Sequence, residues 1–256
     1  MIKNIFKGIL AYRESFQLIN KLGLWKYFAV PIAISLFTAS LIGLLAWSLS
    51  NVLGNMISVV WVWEWGSATF NAISDFLGAL IIITIGIVLY KHIVMALSAP
   101  FMSPVSEKIE AHFYGTHATN TEDHGFWKQL WRGVKINTRN LGMELILTLP
   151  ILLLSLIPIV NFITGFALFL VQSYYAGFGN MVYTLERHMN SAKSIRFVRS
   201  HSGIAVGNGI VFMLMLLLPV IGIILVFPLS VTAASTETLR ILNAEKPLVE
   251  STITSS

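Results

Sequence analysis

Leu152–Phe162 reads LLLSLIPIVNF and Met213–Ile223 reads MLMLLLPVIGI, so Pro158 and Pro219 occupy equivalent places in two similar apolar runs. Neither run holds a charge near its proline. A proline stops or bends a helix because it has no N–H to donate and its ring clashes with the preceding turn. Two apolar runs broken alike predict two helical hairpins that turn inside a membrane. Discontinuous membrane helices of this kind build transport pathways.

Composition sets the environment. The 256 residues are 55% hydrophobic and only 11% charged, against about 25% charged in a soluble domain. The chain therefore reads as an all-α integral membrane protein. No cleavable leader is expected, because the first long apolar run begins at Tyr27, after Lys21 and Lys26. Cysteine is absent, which removes disulfides, thiol chemistry and thiolate metal sites.

The net charge of +5 is arranged as a topology map rather than a nucleic-acid surface. Lys and Arg cluster in 1–26, 108–139, 187–199 and 240–246, with Lys91 alone between them, and none lies between Tyr27 and Tyr90. Basic residues favour the cytoplasmic side of a membrane, so both termini and the basic loops are expected there. This decides how the proline segments run. If the chain reverses at Pro158–Asn161, the 187–199 loop stays on the basic side; a mere kink would send it across. Three arms flanking the prolines, Met143–Ile157, Ile204–Leu218 and Val220–Ala234, have 15 residues each, about 22 Å, and the arm after Asn161 is longer, which suits hairpins that are re-entrant or partly spanning.

The expected organisation is one membrane domain, residues 1–244, and a polar, irregular tail, 245–256. Residues 1–26 read as an amphipathic interfacial helix over Met1–Leu22, and 27–97 as two long transmembrane helices, Tyr27–Trp47 and Phe76–Leu97. Between these two, Trp61, Trp63 and Trp65 beside Glu64 mark an outer interfacial loop. Residues 98–142 read as a cytoplasmic loop with helices at 104–113 and 126–138, followed by hairpins at 143–186 and 203–242. Backbone that turns inside a membrane must be buried in protein or face water. Gly203, Gly207 and Gly209, with Gly165, Gly177 and Gly179, are expected to let the hairpins pack closely, within a homo-oligomer.

Read in order, several segments resemble the CysZ family of bacterial sulfate-uptake membrane proteins. Leu22-Gly23-Leu24-Trp25-Lys26-Tyr27-Phe28 with Pro31 is similar to that family's Pro-Gly-Leu/Ile-Arg-Arg-Phe-Val…Pro entry to its first long helix. Ala99-Pro100-Phe101 with Glu107-Lys108-Ile109-Glu110 is similar to its Ala-Pro-Phe-Asn-Gly…Glu-x-Val/Leu-Glu stretch, with Met102 and Ser103 in place of Asn-Gly. Ile157–Asn161 and Leu218–Gly222 match its hairpin tips, and Tyr183–His188 resembles its Tyr-Pro-Phe-Asp-Asn-His, with Thr184 for proline. The resemblance covers roughly Met1–Leu242. It implies passive or ion-coupled passage of a small oxyanion, sulfate, across a bacterial inner membrane into the cytoplasm.

The resemblance also implies an anion site at Gly23, Leu24, Trp25 and Lys26. The chemistry is independently reasonable, since a helix N-terminus offers unpaired N–H groups and partial positive charge. Trp25 stands where the family has an arginine, which removes one guanidinium. A channel or transporter for a different ion or small solute therefore stays open, as does a non-transporting scaffold that binds lipids or a partner protein.

Lys91, Glu107, Glu110, Pro158, Asn161, Pro219 and Gly222 are candidate pore or gate residues. Against this, Lys91 beside His92 can snorkel to headgroups, and Glu144 suits the start of a hairpin arm. Glu107 and Glu110 have Arg132, Lys135 and Arg139 near them in sequence. No metal or cofactor is expected: the spacings of His112, His117 and His124 fit no helical ligand pair. No phosphate loop, HExxH or GxSxG motif is present, so no enzyme activity is expected.

Overall fold

The computed structural model describes residues 1–59, 67–115, 125–155, 157, 160–218 and 221–253. Among them the regular structure is helical: α1 (Ile2–Leu10), α2 (Tyr12–Lys21), α3 (Trp25–Ser58), α4 (Ser67–Tyr114), α5 (Phe126–Leu154), α6 (Asn161–His188), α7 (Ser191–Ser200), α8 (Ser202–Leu216) and α9 (Ile221–Ile253). Trp25–Ser58, Ile85–Tyr114, Phe162–His188 and Ile224–Ala244 are long and apolar enough to cross a membrane. The protein is an all-α membrane protein, as its composition indicates.

The two proline-broken segments are hairpins. Arg132 of α5 meets Glu186 and Met189, whereas Arg139 lies over the Phe178 ring. Rising numbers on one arm thus meet falling numbers on the other, so α5 and α6 are antiparallel. In the second hairpin the Asn208 amide of α8 donates to the Ser230 carbonyl of α9 at 3.0 Å. Pro158 and Pro219 themselves lie outside the described residues. Asn161 is the first residue of α6, and Gly222 stands in the first turn of α9.

Several boundaries differ from the expected ones. The N-terminal amphipathic segment is two helices interrupted at Ala11. Past the break, Tyr12 turns inward and its hydroxyl donates to the Asn208 carbonyl at 2.8 Å. Burial pushes the Tyr12 phenol well above its ordinary value. Ile2, Phe6 and Leu10 stay exposed along one side of α1, the stripe an interfacial helix would turn to lipid.

The first transmembrane pair is longer than expected. α3 has 34 residues and α4 has 48, about 51 Å and 72 Å, so both outrun a core of about 30 Å. The outer segment is thus largely helix, because glycines let the two helices close on each other there. A Cβ at Gly78 would sit 2.6 Å from the Ser50 carbonyl, and one at Gly54 would overlap Asp75. The tryptophan stripe and Glu64 lie outside the described residues.

The expected loop at 98–142 is mostly the continuation of its neighbours. α4 runs unbroken through Pro100 and Pro104, although a mid-helix proline costs about 3 kcal/mol. Packing outweighs that cost: Met102, Val105 and Ile109 are wholly buried, and Gly133 of α5 lies directly on Ala96 and Ala99. α5 likewise joins the expected helix at 126–138 to the first hairpin arm. At the other end of the chain, α9 continues as helix past Glu245 to Ile253, where an irregular tail was expected. Once nucleated, a helix gains one hydrogen bond for each residue it adds.

The hairpins pack tightly where glycine permits. A Cβ on Gly177 would overlap the Ala205 carbonyl, and one on Gly209 would overlap the Ser173 carbonyl. Gly179 faces Met95 of α4 instead. Gly203 and Gly207 receive α1, with Asn4 and Ile5 seated on them. Gly165 has no neighbour within 4 Å among the described residues. Within this core, α9 buries Ser230, Thr232, Ser235, Thr236, Glu237 and Thr238. The Thr184 hydroxyl donates to Ser235 at 2.9 Å, and the Asn180 amide to Asn208 at 2.8 Å.

Replacing Gly177 or Gly209 with Leu should force α6 and α8 apart and cost about 1–3 kcal/mol or more. Gly165→Leu should leave stability near wild type. Thermal unfolding in detergent, followed by size-exclusion chromatography, checks the contrast; equal behaviour of all three variants would contradict this packing.

Candidate functional site

The Leu22–Lys26 turn is built by the end of α2. Gly23 has φ +60, a conformation glycine enters without a Cβ penalty. The Leu24 amide donates to the Ile19 carbonyl at 2.9 Å and the Gly23 amide to Asn20 at 3.2 Å. This pair of bonds is the Schellman closure of a helix C-terminus. Leu24 and Phe28 are wholly buried, so the turn is anchored in the core.

Of the four candidate anion residues, Gly23 and Leu24 therefore have their amides committed to capping α2. Trp25 and Lys26 open α3 with amides that helix geometry leaves unpaired. The Trp25 indole donates to the Asn20 side chain at 2.7 Å and meets Phe16 edge-on. Lys26 Nζ lies 5.1 Å from the centre of the Tyr27 ring, and Lys108 Nζ of α4 lies 5.9 Å from the same ring. The start of α3 thus gathers two ammonium groups. Lys108 is far off in sequence, and only its place in the Glu107–Glu110 segment hinted at a role.

A second constellation lies deeper. Lys91 Nζ donates to Glu144 Oε1 at 2.6 Å and to the Gln172 carbonyl at 3.3 Å, and His92 Nε2 is 3.0 Å from Glu144 Oε2. Lys91 and Glu144 are each 1% exposed. Lys91 therefore does not snorkel to headgroups; it turns inward to α5 and α6. Glu144, expected to serve a helix terminus, sits well inside α5 and pairs with Lys91. The two stand as isolated charges of opposite sign in apolar runs, and that was the only signal joining them.

A third group ties α4 to α6 near the basic end. Arg187 Nη2 donates to Glu110 Oε2 at 2.9 Å, and His188 Nε2 is 3.3 Å from the same oxygen. Arg132, one of the basic residues near Glu110 in sequence, pairs with Glu186 at 3.5 Å and donates to the Met189 carbonyl and Ser194. Burial pushes the Arg132 guanidinium below its ordinary value while Glu186 pulls it back up. Glu107 is exposed. His112 stacks edge-on against Phe113, and His117 and His124 lie outside the described residues.

Breaking a buried pair from one side strands the other charge, which costs about 3–5 kcal/mol. Arg187→Gln should show a loss of that order by thermal unfolding. The double variant E110Q/R187Q should recover most of it. Failure of the double variant to recover would mean that Arg187 acts through other contacts.

The family model described as sulfate transporter CysZ/etoposide-induced protein 2.4 matches residues 11–227, which spans α2 to the first turns of α9. This match supports a role in membrane transport. No curated protein matches the chain.

Proposed function

We propose that this chain, which belongs to the sulfate transporter CysZ/etoposide-induced protein 2.4 family, lets a small oxyanion across the membrane. Sulfate is the substrate its family suggests. Passage is passive or coupled to an ion gradient. The reading sets the protein in a bacterial inner membrane as a homo-oligomer, with its basic loops and both termini on the cytoplasmic side.

One observation carries the anion reading: Lys26 and Lys108 converge on the Tyr27 ring at the point where α3 begins. A helix N-terminus carries about half a positive charge, and two ammonium groups add to it. In this arrangement Trp25 and Lys26 supply amides, Lys26 and Lys108 supply charge, and Gly23 and Leu24 shape the turn. Lysine offers a point charge where arginine offers a planar fork. Trp25 thus favours looser discrimination among oxyanions than a pair of guanidinium groups would give.

Radiolabelled sulfate uptake into proteoliposomes tests the reading. Wild type should exceed empty vesicles, and K26Q/K108Q should lose roughly ten-fold or more, the scale of one to two lost charge-assisted hydrogen bonds. Absence of flux from folded protein would sink sulfate as substrate. Flux of nitrate or phosphate without sulfate would favour a channel for another solute. A Lys26→Glu variant that behaves as wild type in every assay would favour a scaffold.

A further inference from the structure

We infer that Lys91 and His92 form an oxyanion site in the membrane interior, and that Glu144 is its tethered occupant. The inference rests on the oxyanion reading above and adds a second site, away from the start of α3. Its basis is the shape and chemistry of the buried group. Two consecutive residues of α4 send Nζ and Nε2 to the two oxygens of one carboxylate, at 2.6 Å and 3.0 Å. A planar or tetrahedral oxyanion can present two of its oxygens in the same way.

An ionised carboxylate only accepts hydrogen bonds, so holding an oxyanion here requires His92 to present its proton on Nε2. His92 Nδ1 is buried and has no partner among the described residues. The Lys91 ammonium has one further acceptor, the Gln172 carbonyl at 3.3 Å. With Glu144 in place, the charges of Lys91 and Glu144 cancel. With Glu144 withdrawn, the same donors leave net positive charge in a medium of low dielectric, where an uncompensated charge is costly. An oxyanion bound in place of the Glu144 carboxylate would offset that charge.

A merely structural pair is the competing explanation, and it is physically weak. A buried ion pair is often no more stabilising than apolar residues of the same volume. The flanking runs, Phe76–Tyr90 and Leu145–Ile157, are uncharged. A group that is expensive to bury and placed between apolar runs of membrane helices marks a pathway more often than a brace.

Chemical rescue distinguishes the two. Glu144→Ala empties the carboxylate's place while leaving both donors. In detergent it should unfold below wild type in chloride and regain several degrees when sulfate or formate replaces chloride at matched ionic strength, because a ligand that binds only the folded state raises its stability. Wild type, with the place filled, should shift little. K91M/E144A should lose the rescue. If Glu144→Ala does not fold, Glu144→Gln decides: its neutral amide is easier to displace, so it should respond to oxyanion more than wild type does. An equal response of wild type and both Glu144 variants overturns the proposal, as does rescue that survives loss of Lys91. Vesicle flux separates the two readings. Rescue without wild-type flux would sink the transport reading and leave this site standing; flux without rescue would sink this site alone.

Discussion

Everything in the bundle is spaced by the approach of α6 to α8, which leaves no room for side chains at Gly177 and Gly209. Two backbones this close can share polar groups, and Asn208 is where they do so. It accepts from Asn180 of α6 and Tyr12 of α2 and donates to Ser230 of α9. In an apolar medium each of these groups would be costly if left unmet, so the contact both permits the network and requires it. α1 then closes the far side of α8 by seating on Gly203 and Gly207.

On this scaffold the charges sit at two levels. Near the basic end, Glu110, Arg187 and His188 fasten α4 to α6, and Arg132 with Glu186 fastens α5 to α6. Deeper, Lys91 and His92 hold Glu144 and so join α4 to the first hairpin. α4 takes part at both levels and stays helical through two prolines to do so. The Leu22–Lys26 turn belongs to neither level. It is a helix-to-helix corner whose amides are divided, those of Leu22, Gly23 and Leu24 bonding back to α2 and those of Trp25 and Lys26 left open at the start of α3.

The architecture was legible wherever a single physical preference dominated. The paired prolines and the placement of Lys and Arg implied two reversals, and the antiparallel hairpins meet that expectation. Element ends were less legible. Pro100 and Pro104 read as helix breakers, yet the burial of Met102, Val105 and Ile109 overrides them. Of the six glycines expected between hairpins, Gly177 and Gly209 join α6 to α8, Gly179 meets α4, Gly203 and Gly207 meet α1, and Gly165 meets nothing among the described residues. Small size shows where a close contact is allowed but does not name the partner.

The sequence alone determined that this is a helical membrane protein with two reversals, because hydropathy, proline chemistry and charge bias act locally along a chain. It also marked Lys91 and Glu110 as ionisable groups beside apolar runs, whereas Gly23–Lys26 was marked by the family resemblance. Only the tertiary structure decided that Lys108 shares the Tyr27 ring with Lys26, that Glu144 answers Lys91, and that Arg187 pairs with Glu110. The reason is range. A charge finds its partner across helices, through rotations and offsets that depend on every glycine and core side chain between them.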